Sequence, residues 1–223
     1  MKNSPSEIAR VERSKESARD AYNRMSGWYD WLAGSSEQKF SGAGLHALNA
    51  QPGETVLEIG FGTGHNLLTL ARAVGVNGRV YGIDLSEGML QVAGKRLAKN
   101  RLAERAELKC CDAASLPFPD GLFDAIFMSF VLELFDTPEI PVVLRECHRT
   151  LRRGGRLGVV ALSKKDGAAV QIYEWFHARF PSAVDCRPIY PRQSVEAAGF
   201  RVTDSIEMKM WGLPVDILVA SKV

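Results

Sequence analysis

The 223-residue chain carries 28 Lys and Arg against 26 Asp and Glu, a formal net charge of +2, and 46% of it is hydrophobic. That length suits one substantial domain with room for an added cap, and the composition is that of a globular protein. So small a charge gives no reason to expect a nucleic-acid partner, and no run approaches the roughly 18 apolar residues of a membrane span.

The charged start "MKNSPSEIARVERSKESARD" lacks the apolar centre of a secretory signal, so the cytoplasm is the expected compartment. Residues 6–32 read as a charged, partly amphipathic helix ending in the aromatics of "AYNRMSGWYDWL", and a second short helix is expected over 36–48, closed by "QPGE". Residues 1–50 thus form N-terminal cap helices ahead of a main domain over 51–223. Apolar runs and helical patterns then alternate: a strand at 55–60, a helix at 65–74, a strand at 79–85, and a helix at 86–100 opening on Ser86 as N-cap. A strand over 106–112 and the turn "LPFPDG" lead to a strand at 123–130. A helix at about 138–151, interrupted early by Pro141, and the turn "RRGG" precede a fifth strand, "GRLGVVAL", at 155–162.

Nearly continuous apolar strands alternating with helices make an α/β fold, a parallel sheet buried on both faces. The tail "EMKMWGLPVDILVASKV" (207–223) holds two strand-like pieces broken at Gly212-Leu213-Pro214, which suggests an antiparallel hairpin at the sheet edge. The cysteines at 110, 111, 147 and 186 show no C-x-x-C spacing, and the histidines at 46, 65, 148 and 177 are scattered. The cysteines read as small buried hydrophobes, and no metal site is expected.

Gly60, Gly62 and Gly64 crowd the turn between the first strand and the first helix, where a doubly wound sheet binds ligands. Missing Cβ atoms let the backbone approach a ligand, and the helix N-terminus beyond offers free N–H groups. Asp84 ends the second strand, where a carboxylate accepts both hydroxyls of a ribose. Asp112 ends the third, in reach of an adenine amino group. A dinucleotide fingerprint needs its third glycine one place later, since residue 65 is His, and no G-K-[ST] follows to make a P-loop. The pattern points to S-adenosylmethionine rather than NAD, with a tight turn and an ordinary surface Asp as the bland alternative.

"VLEIGFGTGHNLLTLA", "GIDLSEGML", "LPFPDGLFDAIFMSFVLELF" and "LRRGGRLGVV" resemble, in order and spacing from about 54 to 162, the successive motifs of the class I S-adenosylmethionine-dependent methyltransferases. "YNRMSGWYDWL" is similar to the N-terminal motif of the ubiquinone/menaquinone-biosynthesis C-methyltransferase type, with Tyr22 in place of Phe and Tyr29-Asp30 retained. The stretch "AGSSEQKF" is shorter than that family's and offers Phe40 where it has Trp; the segment after 163 also departs from it.

The resemblance implies a Rossmann-like, doubly wound, seven-stranded and mostly parallel sheet, with S-adenosylmethionine as cofactor and S-adenosylhomocysteine as product. It also implies roles. Glu58 faces the methionine amino group, and Gly60, Gly62 and Gly64 line the methionine and ribose side. Asp84 binds the ribose hydroxyls and Leu85 lies against adenine. Asp112 and Ala113 flank the adenine edge, Ser129 and Phe130 contact the methionine part, and Tyr29 closes over the cofactor. A regulatory module that binds the cofactor without transfer is the alternative, and an NAD-dependent oxidoreductase a more distant one.

Methyl transfer from a sulfonium asks the protein mainly for position and water exclusion, so no catalytic residue is assigned. His65, His148, His177 and Tyr190 are the titratable candidates for a base; His148 reads as structural and His65 as a helix-start residue. Acceptor binding falls to the N-terminal helices and to an insertion at 163–192. There Ile172, Trp175, Phe176 and Phe180 form one helical stripe, either core or a hydrophobic wall for a small quinone-like or lipid-like acceptor, with contact to a membrane surface. Asp185, Arg187 and Tyr190 are expected at its mouth, with Arg187 holding an anionic group or a surface carboxylate.

Overall fold

The computed structural model describes residues 14–26, 34–165, 167, 170, 173 and 186–223. Helix α1 (Lys15–Met25) starts at Ser14, whose hydroxyl accepts from the Ser17 N–H. The rest of the helix expected over 6–32 lies outside the described residues. So do Tyr29, Asp30, His177, Asp185 and the stripe Ile172, Trp175, Phe176 and Phe180.

Helix α2 (Gly34–Leu48) leads into β1 (Thr55–Ile59), α3 (His65–Ala73), β2 (Arg79–Asp84), α4 (Glu87–Lys99), β3 (Ala106–Cys110) and β4 (Phe123–Ser129). Ser86 caps α4 as expected, its hydroxyl accepting from the Met89 N–H. Helix α5 (Ile140–Thr150) is not interrupted by Pro141, which sits in its first turn, where a missing N–H costs no helical bond. Strand β5 (Leu151–Leu162) begins earlier than expected. Its residues 152–155 are looped out as an irregularity in the pairing with β4, so "RRGG" lies inside the strand instead of before it.

Helix α6 (Pro191–Ala197) was not legible in the pattern, and β6 (Phe200–Met210) starts ahead of the expected tail. The turn falls at Trp211-Gly212, and Pro214 lies within β7 (Leu213–Lys222), opposite Lys209.

The sheet runs β3-β2-β1-β4-β5-β7-β6. Strands β1 to β5 are parallel, and β7 is antiparallel to both β5 and β6. The hairpin is therefore present, but β7 is inserted inside and only β6 forms the edge. That edge is mostly exposed and carries Arg201, Asp204, Glu207 and Lys209, charges that discourage pairing with another chain. Helices cover both faces. Phe40, Leu45 and Leu48 of α2 share one apolar layer with Leu67 and Leu70 of α3 and Met89 of α4, while Val143, Leu144 and Cys147 of α5 and Val195 of α6 pack on the other. Helix α2, expected in a cap, is thus part of the sheet's own core. Strand order reverses between β1 and β4, so the crevice at the carboxyl ends of these two strands is where such a sheet takes a ligand. No helix among the described residues is long and apolar enough to cross a membrane.

Candidate active site

The turn after β1 holds its three glycines at positive φ: 68° at Gly60, 51° at Gly62 and 85° at Gly64. Left-handed backbone favours glycine at each, but the three do different work. A Cβ on Gly60 would lie 2.4 Å from Val131 Cγ2, and one on Gly64 would lie 2.8 Å from the Ala93 Cβ, so both are needed for close packing. A Cβ on Gly62 would meet nothing within 4 Å. Of the three, Gly62 is the one that borders open space.

Asp84, at the end of β2, reaches over this turn. Its Oδ2 accepts from the Gly62 N–H and its Oδ1 from the Ser86 N–H, both at 2.9 Å. Burial raises its pKa, and those backbone donors oppose the shift. The Leu85 N–H also acts on this carboxylate, which with about four lone-pair sites still has accepting capacity to spare. Leu85, half-buried, follows at the mouth of the crevice.

Glu58, next to last in β1, is 1% exposed. Burial pushes its carboxyl up to about 8, an Asn66 hydrogen bond works against this, and the Asp84 charge adds to it. Its Oε2 has no hydrogen-bond partner among the described residues. A buried carboxyl oxygen left without a donor is costly, and a ligand ammonium would resolve it. An unpartnered acceptor at Glu58, open space at Gly62 and spare lone pairs on Asp84 together fit a nucleoside that carries an amino-acid tail.

Asp112 lies two residues beyond β3 rather than at its end. Its Oδ1 accepts from the Ala114 N–H, and its Oδ2 pairs at 2.6 Å with Lys15 of α1, which also reaches Glu139 at 2.6 Å. Ala113 beside it is buried. Helix α1 therefore crosses the carboxyl edge of the sheet. At its other end the Asn23 Oδ1 accepts from the Ser86 hydroxyl at 2.7 Å and from the Gly88 N–H at 3.0 Å. Neither Lys15 nor Asn23 was flagged by sequence reasoning, because both sit in a stretch that reads as an ordinary charged helix.

At the end of β4, the Ser129 hydroxyl meets that of Ser41 at 2.9 Å. Phe130 is buried at φ 55°, an uncommon conformation for a bulky residue, and its ring stands edge-on to Phe40 with centroids 6.1 Å apart. Glu133, in the short 3-10 turn Leu132–Leu134, is fully buried and carries a carboxyl that burial pushes up to about 8. Its one sequence signal is a lone acid in the apolar run "SFVLELF".

Other expectations shift. Arg187 is 1% exposed rather than at a mouth, and its guanidinium donates to the Phe135 carbonyl and the Thr137 hydroxyl, tying two loops together. Of the cysteines, Cys147 is buried as expected but Cys110 is exposed, its thiol donating to the Leu85 carbonyl. His65 opens α3, and His148 stands edge-on to Phe200 on α5, away from the crevice.

Residues 56–155 match the model of a methyltransferase domain. The chain is 33% identical over 171 residues to a demethylmenaquinone methyltransferase of Anoxybacillus flavithermus, covering 77% of this chain and 69% of that protein. It is 37% identical over 115 residues to a 2-phytyl-1,4-naphtoquinone methyltransferase of Synechococcus elongatus, covering 52% and 48% of the two. In fold it is similar to the [4+2]-cyclase SpnF, at a TM-score of 0.77 and 19% identity, over 94% of this chain and 97% of that one. It also resembles a SAM-dependent methyltransferase from Aquifex aeolicus, at a TM-score of 0.69 and 23% identity, over 90% and 98%. With its glycine turn, its Asp84 and its sheet order in place, the chain belongs to the class I S-adenosylmethionine-dependent methyltransferases of the quinone type.

Proposed function

We propose that the chain methylates a small aromatic acceptor of the quinone class, taken in its reduced, hydroxyl-bearing form. The observation that carries the acceptor side is the apolar shell at the carboxyl end of the sheet beyond Ser129. Phe40, Phe130, Val170, Met210 and Leu213 belong to the one buried apolar cluster on that face of the sheet, against which Tyr173 packs. A flat apolar ring suits such a surface better than a charged or sugar-like acceptor does. The names of the relatives support the same class.

S-adenosylmethionine supplies a methyl group on a sulfonium, whose neutral thioether leaves without help from an acid. In this reading Glu58 holds the amino group of the cofactor and Asp84 the ribose hydroxyls. Leu85, Asp112 and Ala113 border the adenine, Gly62 gives the backbone room for close approach, and Ser129 and Phe130 border the methionine part. Helix α1 shields the crevice from water.

The test is transfer of a labelled methyl group from S-adenosylmethionine to chemically reduced demethylmenaquinone in detergent, without oxygen. Labelled product is expected with the reduced acceptor and none with the oxidised one. Failure on the reduced quinone, alongside turnover of a non-aromatic acceptor, would overturn the reading.

A further inference from the structure

Three residues on one face of α2 meet three residues at and just past the end of β4. Glu37, Phe40 and Ser41 stand at i, i+3 and i+4, so they share a helix face. Ser41 meets Ser129 through its hydroxyl, Phe40 meets Phe130 ring to ring, and Glu37 acts electrostatically on Glu133. The matched pairs bring two carboxyl groups together beside the end of β4. Val131, two residues before Glu133, is the side chain that Gly60 must leave room for, so this turn abuts the cofactor loop directly.

Glu133 is fully buried, with Oε1 accepting from the Leu162 N–H at 3.1 Å. That bond closes the end of β5, and a glutamine would make it equally well. The other oxygen, Oε2, has no hydrogen-bond partner among the described residues. A carboxyl in place of an amide is expensive here, because burial above all, and then the neighbouring Glu37, oppose its charge; the Leu162 N–H, its own backbone N–H and the buried Arg187 only partly offset this. Glu37 is itself pushed up to about 7 by burial.

We propose that Glu133, with Glu37 beside it, is the acid–base site for the acceptor: Oε2 receives the hydroxyl of a phenolic or enolic ring and takes its proton during transfer. The proposal rests on the reading of the chain as a methyltransferase of reduced quinones. The acceptor's O–H bond breaks and its proton passes to Oε2, which raises electron density on the adjacent ring carbon. That carbon forms the bond to the methyl group as the carbon–sulfur bond breaks, its electron pair staying on the sulfur. The ring carbon then loses its hydrogen to water as a proton, and the oxygen regains the proton held by Glu133. One proton is released in all, and no oxidant or reductant is consumed. A carboxyl raised to about 8 is far closer to a phenol than an ordinary glutamate, which makes it the better base.

Glu133→Gln keeps an acceptor for the Leu162 N–H but turns a donor toward the acceptor's hydroxyl. Its transfer rate to reduced demethylmenaquinone should fall roughly 100-fold or more, with S-adenosylhomocysteine affinity within about 3-fold of the parent. The rise in rate through pH ~8 that is expected of the parent should vanish. A second readout needs no turnover: calorimetric binding of 1-naphthol and 1-methoxynaphthalene to the S-adenosylhomocysteine complex. The parent should favour the naphthol about 10-fold, more strongly as pH rises from 6 to 8.5, and Glu133→Gln should lose the preference. If Glu133→Gln does not fold, the pH dependence of the parent's preference decides, and its absence overturns the proposal. Parent-like transfer with an intact preference in Glu133→Gln overturns it too. No transfer to the quinol, with the preference present in the parent and lost in Glu133→Gln, rejects the quinone reading and leaves the assignment of Glu133 standing.

Discussion

One oxygen of Asp84 takes the Gly62 N–H and the other the Ser86 N–H, so this carboxylate ties the glycine turn to the start of α4 as well as facing the crevice. Asp84→Ala therefore strips two backbone donors of their acceptor and removes the partner of a ribose hydroxyl pair. S-adenosylhomocysteine affinity should fall roughly 10- to 150-fold, and stability by about 1–3 kcal/mol, read by calorimetry and denaturant unfolding. An unchanged affinity would remove Asp84 from ribose recognition. Glu58 makes a different prediction. With its carboxyl raised to about 8, it is mostly neutral at pH 7, and an ammonium set beside Oε2 favours the ionised form. Binding must then expel a proton, which costs about 1.4 kcal/mol for each pH unit below that value. Affinity should rise with pH up to about 8 and level off above it, with close to one proton released at pH 6.5. Calorimetry in two buffers of different protonation enthalpy measures that proton. Binding without proton release would place the amino group elsewhere, and Glu58→Gln should abolish the pH dependence.

Helix α1 buries none of its residues fully, and besides half-buried Tyr22, which packs against the core, polar contacts at its two ends hold it. Asn23 caps the start of α4 and Lys15 bridges Asp112 and Glu139. A Cβ on Gly88 would lie 2.8 Å from the Ser26 hydroxyl, so the helices also meet at a glycine. The two ends differ in strength. The Asn23 contacts are partly buried and satisfy a helix N-terminus, which is worth about 1 kcal/mol, while the Lys15 pairs are more than one-third exposed and contribute less. Asn23→Ala should loosen α1 alone: faster proteolysis within 15–26, several-fold weaker S-adenosylhomocysteine binding and a nearly unchanged melting temperature, with Lys15→Ala milder throughout. Equal protection of α1 in Asn23→Ala would show that something other than this cap holds it. The alternation of strands and helices from 55 to 162 is legible in the sequence because apolar runs, glycine turns and the Ser86 cap are local signals. So are Glu58 and Asp84, acids at the ends of apolar strands. The pairs that join α2 to the end of β4 are not legible, since Ser41 and Ser129 are 88 positions apart and neither is unusual alone. The insertion of β7 between β5 and β6 is equally silent, because strand order depends on pairing and not on any one segment's pattern.

Over the whole molecule, Glu37, Glu58 and Glu133 are three acids whose burial sets the response to pH. Their carboxyls are raised to about 7, 8 and 8 in the folded chain, against an ordinary value near 4.5. Between about pH 4.5 and 8 the folded state thus holds more protons at these groups than the unfolded one, and stability falls as pH rises through that window. Each shift amounts to a few kcal/mol on the order of 1.4 per unit, enough to matter against a total of about 5–15. On the acid side Glu54 and Glu146 act in the opposite sense. Hydrogen bonds from Arg149 hold Glu146 below its usual range. At Glu54 burial is the largest single influence, but the Arg156 hydrogen bonds and charge and the Gln51 N–H together overcome it, so the stability these two confer is present above about 4.5 and lost as pH falls below it. His148 is lowered by burial and by Lys222, which adds a little stability as pH rises, a single group against the three glutamates and Asp84, whose carboxyl burial also raises. The melting temperature should therefore peak in mildly acidic buffer, about pH 5–6, and decline toward pH 9. S-adenosylmethionine should recover part of that loss, because an ammonium beside Glu58 stabilises its charged form, and the recovery should be larger at pH 8.5 than at pH 6. Glu133→Gln should flatten the decline without the cofactor, since one of the three buried charges is then never formed. Calorimetric scans of the two proteins from pH 5 to 9, with and without S-adenosylmethionine, measure both effects. A melting temperature that rises steadily through that range would mean that these three carboxyls ionise in the folded chain as they do in water.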